Sequence, residues 1–174
     1  QSIREIFNRL NSLGRRLKPD EIFEALERTP ARSLAAVATR VAALQFGPVG
    51  QKLIHQSLRA FQGDDFASDR VGRVRQPDAF EAVERGLSGA IVLLRESGIP
   101  HIKLLPYQFA LVILAAFFGH HPTPKPRTRE LLSRWVWRGA VSGQHSGKDL
   151  NWLRVMVRSV SRPEDEAIRA MLEP

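Results

Sequence analysis

A chain of 174 residues with 43% hydrophobic content has enough material for one buried core. Its 26 Lys and Arg against 18 Asp and Glu give a formal charge of +8 and a pI near 10.9, a balance that draws polyanions such as nucleic acid. The absence of cysteine excludes disulfides, thiol catalysis and cysteine-rich zinc sites, and fits a cytoplasmic setting.

The chain opens with QSIREIFNRL, which lacks the apolar core of a secretory signal. A polar, glycine-turned cluster, FNRLNSLGRRL, occupies residues 7–17. Pro19 then stands at a first helical position, Asp20 and Glu21 follow where the helix dipole favours acids, and Ile22, Phe23 and Leu26 give an apolar face to a helix over 19–28. A second helix starts near Ser33, with Leu34, Val37, Ala38, Val41 and Leu44 at helical spacing until Gly47-Pro48 stops it. The third runs from about 49 to 61, with Leu53, Ile54, Leu58 and Phe61 inward, and residues 63–76 form one long loop.

From Pro77 the pattern sharpens. Phe80, Val83, Leu87, Ile91 and Leu94 make a single stripe over almost five turns, and Gly98 ends it. Gly86 and Gly89 inside that helix each cost up to about 1 kcal/mol against alanine, which predicts a second helix packed close against them. The longest apolar run, FALVILAAFFG at 109–119, has 11 residues where a bilayer span needs roughly 20. It reads as part of a buried helix over 106–119, and no membrane partner is expected. A helix over 127–141 carries Leu131, Leu132, Trp135 and Val136, and a last pair, 147–160 and 163–172, is separated by Ser161, Arg162 and Pro163. No period-2 segment survives. The prediction is an all-α, compact bundle of about seven helices, one helical domain over 19–174.

The polar residues narrow the chemistry. His120 and His121 are neighbours, so on a helix they point about 100° apart and do not form the i, i+4 pair of a helical metal site; a helix C-terminus suits them better. Ser142, His145, Ser146 and Asp149 crowd into VSGQHSGKDL, but a Ser-His-Asp triad is assembled from separated elements, and a glycine-flanked turn with Ser146 capping a helix near Lys148 is the better reading. No phosphate-cradling loop is present. Arginines say more. Arg154, Arg158 and Arg162 fall at i, i+4, i+8, and Arg127, Arg134 and Arg138 at i, i+7, i+11, so each set lines one side. Such stripes are candidates for contact with DNA phosphates, or are solvated faces paired to nearby acids. Trp135, Trp137 and Trp152 sit among them and read as core anchors, because Trp135 continues the Leu131/Leu132 stripe.

Three blocks carry a resemblance: IFNRLNSLGRRLKPDEI, then LLPYQFALVILAAFFGHHP, then LLSRWVWRGAVSGQHSG with Asp149-Leu150 after it. In this order and with helical spacers they resemble the ParB-related nucleotidase family of GmrSD-type modification-dependent restriction and anti-phage proteins, from Ile6 to about residue 150. The resemblance implies that Phe7, Arg9, Asn11 and Gly14 are part of a second, nucleotide-binding motif, with the Arg9 fork suited to a phosphate. It further implies that residues 1–18 end a truncated ParB-like α/β unit, and that the chain is the C-terminal half of a larger α/β plus helical domain. The expected partners are that missing ParB-like half, DNA, and an HNH nuclease domain or subunit. A nucleoside triphosphate and a divalent metal belong to the full-length protein, with no cofactor and no catalytic residue in this chain. Two departures stand out. The family's Asp-Gly-Gln-Gln-Arg motif is absent, and Lys18 replaces the Ser or Thr that would cap the helix at Pro19. The expected role is a helical portion that supports the nucleotide-binding half and contacts DNA or a nuclease; the alternative is an independent helical protein-binding or regulatory module.

Overall fold

The computed structural model describes residues 33–67, 74–143 and 150–173. Among these the chain forms seven α-helices and no strand: α1 (Leu34–Ala42), α2 (Gln51–Phe61), α3 (Ala79–Glu96), α4 (Phe109–His120), α5 (Pro126–Ser142), α6 (Leu150–Ser159) and α7 (Glu164–Leu172), with a 3-10 turn at Ile102–Leu104. The all-α expectation is met. The helix expected at 19–28, the Phe7, Arg9, Asn11 and Gly14 cluster, the middle of the 63–76 loop and the Ser146 cap lie outside the described residues.

Local signals explain most boundaries. Ser33 caps α1 by accepting the Ala36 amide at 3.0 Å, and Leu34, Val37 and Val41 form its buried face. The helix stops at Ala42, before the predicted Gly47-Pro48, because Gln45 takes φ +54 and Gly47 φ +93. That reversal drives Phe46 into the core, where it is fully buried. Gly98, at φ +87, ends α3 as predicted, and Gly143, at φ +73, ends α5.

The centre of the bundle is α4. Every residue from Ala110 to Phe118 is buried, so the helix is apolar on all sides and has to be covered all round. α3, α2 and α6 supply that cover. The contact with α3 is the most intimate: a methyl added at Gly86 would stand 2.0 Å from the Ala115 carbonyl oxygen, and one at Gly89 would stand 2.7 Å from the Phe118 ring. The close approach expected from these two glycines is therefore real, and α4 is the helix that makes it. α2 runs parallel to α4, since Lys52 and Phe109 line one cavity at their starts and Phe61 stacks on His120 at their ends.

α5 and α7 form an outer layer. α5 is fastened to the end of α3 by Arg129–Glu96 at 2.6 Å, by a hydroxyl bond between Ser97 and Ser133, and by the Trp137 indole N–H donating to the Ser97 carbonyl at 2.9 Å. Its other end meets α7. The Lys125 amide and the buried Thr128 hydroxyl both donate to Glu164, and the Lys125 ammonium pairs with Asp165 at 2.8 Å. The acids Glu164, Asp165 and Glu166 also fill the first turn of α7, where the dipole favours them.

One expectation is corrected here. Trp135 is a core anchor, 3% exposed, but Trp137 is 47% exposed. Two helical positions correspond to about 200° of rotation, so a helix that buries the first must turn the second outward.

Candidate nucleic-acid interface

The candidate residues lie on the outer faces of α5 and α6. On α5, core-facing positions are Thr128, Leu132, Trp135, Val136 and Gly139. Arg127, Arg134 and Arg138 project from the opposite side and are exposed, in the single line their spacing predicted. Arg127 is engaged locally, holding Glu130 at 2.7 Å across one turn. Arg134 and Arg138 make no ion pair among the described residues.

The second set divides differently. Arg154 turns inward, its Nε donating to the Asp65 carboxylate at 2.9 Å and its Nη1 to the Asn151 Oδ1 at 3.1 Å. This bond holds the Asp65 carboxyl below the usual carboxylate range against the opposing effect of burial, with further help from the Ala67 amide and the nearby charge of Arg59. The pair ties α6 to the segment that follows α2. Arg158 sits on α6 and is exposed, while Arg162 lies past the end of that helix, in the turn closed by its own amide bonding the Ser159 carbonyl at 3.1 Å. Neither makes an ion pair among the described residues. Of the six arginines read as DNA-contact candidates, two are held by acids and the other four are exposed without an ion pair among the described residues.

The histidines occupy the helix end predicted for them. His120 is the last residue of α4 and His121 its C-cap. The His120 Nε2–H donates to the Phe61 carbonyl and that of His121 to the Val160 carbonyl, each at 2.9 Å, so the two rings join the ends of α4, α2 and α6. Burial pushes the His120 imidazole below its ordinary range, despite the opposing backbone bond. No group of three metal-ligating side chains gathers among the described residues. No helix among them is long and apolar enough to cross a membrane.

Two surface features escaped the sequence reading. Val141 is 87% exposed on α5, seven positions after Arg134 and three after Arg138, so the helical period alone puts it on the arginine side. Asp65 gave no local signal, since its partner Arg154 is 89 residues away. The nucleotide-motif candidates Phe7, Arg9, Asn11 and Gly14 lie outside the described residues. Comparison of the chain with protein-family models, curated proteins and solved structures gives no match.

Proposed function

We propose that this chain is the helical portion of a GmrSD-type restriction or anti-phage nucleotidase, holding duplex DNA by its phosphates beside a nucleotide-binding half and a nuclease. The three sequence blocks support the family reading, and the net charge of +8 supports a polyanionic partner. The observation that carries DNA contact is the exposed pair Arg158 and Arg162 at the turn leading into α7, neither of which forms an ion pair among the described residues, although Glu164, Asp165 and Glu166 follow in the first turn of that helix. Arginine at such a place offers a fixed fork of donors to phosphate oxygens, which positions a duplex without reading its sequence. Nucleotide and divalent metal are assigned to the ParB-like half, not to these helices.

Titration of a 20-base-pair duplex at several salt concentrations tests the assignment. Each neutralised phosphate contributes about 0.9 to the slope of log affinity against log salt, so Arg158→Gln with Arg162→Gln should lower that slope by roughly 2. Arg154→Gln should leave it nearly unchanged, because Arg154 is already spent on Asp65. An unaltered slope in the double variant would overturn the assignment.

A further inference from the structure

Arg134 and Arg138 have neighbours that Arg158 and Arg162 lack in this combination. Between and beyond them on the outer face of α5 stand Trp137, 47% exposed, and Val141, 87% exposed, one helical turn apart. The indole is not loose. Its N–H is fixed on the Ser97 carbonyl at 2.9 Å, and the edge of its six-membered ring comes near Gly98, 3.9 Å from where a methyl on that residue would stand. A pinned aromatic platform beside an exposed aliphatic group is a costly surface to leave in water, and two cations one turn apart run alongside it. At the N-terminal end of the stripe Glu130, held by Arg127, changes the sign of the surface. The face is therefore short: from Arg134 to Val141 is about 10 Å, two helical turns.

We infer that this face of α5 docks an amphipathic acidic helix of a partner protein, with carboxylates at i and i+4 over Arg134 and Arg138 and apolar side chains over Trp137 and Val141. Charge complementarity selects the acidic partner, and spacing selects the helix, since residues four apart on one helix match residues four apart on another. A phosphate backbone would satisfy the two arginines but leave Trp137 and Val141 with no apolar partner, so duplex DNA fits this face less well. The inference takes Arg134 and Arg138, read from the sequence as DNA-contact candidates, for a protein partner and leaves Arg158 and Arg162 to DNA. Trp137 is the expected hot spot: large, pre-ordered and flanked by arginine.

The test uses a fluorescein-labelled, side-chain-cyclised peptide of 14 residues built from Glu, Leu and Ala, with Glu and Leu each placed at i and i+4, and a twin in which Lys replaces Glu. The chain should bind the acidic peptide saturably, with a dissociation constant of about 10–100 μM for so small a contact, and should not bind the Lys twin. Trp137→Ala should weaken binding about tenfold or more. Val141→Gln, at a position too exposed to disturb folding, should weaken it several-fold. Arg134→Glu with Arg138→Glu should reverse the preference in favour of the Lys twin. Equal binding of both peptides, no saturable binding of the acidic one, or unchanged affinity in Val141→Gln would overturn the inference. So would a loss of duplex-DNA affinity in Trp137→Ala and Val141→Gln, which would make the face a nucleic-acid surface instead.

Discussion

Gly86→Ala should destabilise the protein strongly, although the same change in an exposed helix interior stabilises by up to about 1 kcal/mol. A methyl at this position would stand 2.0 Å from the Ala115 carbonyl oxygen, 2.9 Å from the Gly119 amide nitrogen and 3.0 Å from the Ala115 carbonyl carbon. All three atoms belong to the α4 backbone, so no side-chain rotation relieves the clash. To reach ordinary contact α3 and α4 must part by more than 1 Å. Leu87, Ala90, Ile91 and Leu94 on one helix and Leu111, Leu114, Ala115 and Phe118 on the other are buried, and dispersion contacts at such an interface fade by a quarter to a half with a gap of 0.5–1 Å. Overpacking of this kind costs typically 1–3 kcal/mol, and the backbone contact places it at or above the upper end.

The net expectation is a loss of about 3 kcal/mol, which for a chain of this size lowers Tm by roughly 6–12 °C. Thermal melts followed by circular dichroism, beside a Gly89→Ala control, provide the measurement. Gly89 faces the Phe118 ring, whose nearest atom would be 2.7 Å from the new methyl, and a ring can shift where a carbonyl cannot. Gly89→Ala should therefore lose distinctly less. A Gly86→Ala variant as stable as the parent, or one less affected than Gly89→Ala, would refute the helix contact as described.

Two pH dependences follow from titratable groups. Asp65 has a folded pKa below its unfolded one because of Arg154, so its contribution is present above about pH 4 and fades as pH falls through the lower, folded value. Urea titrations should show Asp65→Asn to be less stable than the parent at pH 7 and to converge with it in strong acid; a constant gap would argue against the pair. His120 is also depressed, in its case by burial, so the unfolded chain takes up a proton more readily, and stability present above about pH 6.5 declines as pH falls below it. His120→Gln, which keeps a donor toward the Phe61 carbonyl, should flatten that decline between pH 7 and 5, and a parallel curve would refute the assignment.

What the sequence revealed tracks the range of the interaction involved. The α3 stripe and the apolar run of α4 are periodic signals within single helices, and the cost of glycine in a helix made the close contact legible before its partner was known. The end of α1 was not legible, because it depends on a non-glycine residue, Gln45, taking a positive φ. Trp137 was legible in principle: a helix cannot bury both Trp135 and a residue 200° away, and treating the tryptophans as one class hid this. The division of the arginines lay beyond sequence spacing, since Arg154 and Arg158 differ only in that the fold brings Asp65 to one of them. The histidines were placed correctly at a helix end, while their carbonyl acceptors come from two other helices.

The layering of the bundle explains why binding surfaces belong to its outer helices. α4 is apolar all round and occupies one face each of α2, α3 and α6, so polar side chains are driven outward. α5 lies in the second layer and is fixed at both ends, by Glu164 and Asp165 near its start and by Ser97 under Trp137 toward its end. A helix held this way presents Arg134, Trp137, Arg138 and Val141 in a set register, and a partner that meets them need not spend free energy ordering the face. The same helix without the Trp137–Ser97 bond would still carry two arginines, but its aromatic platform would have to be ordered on contact, at about 0.5–1.5 kcal/mol for a single side chain. The outward tryptophan and its hydrogen bond to the Ser97 carbonyl thus give the partner helix proposed for this face a small surface ordered in advance.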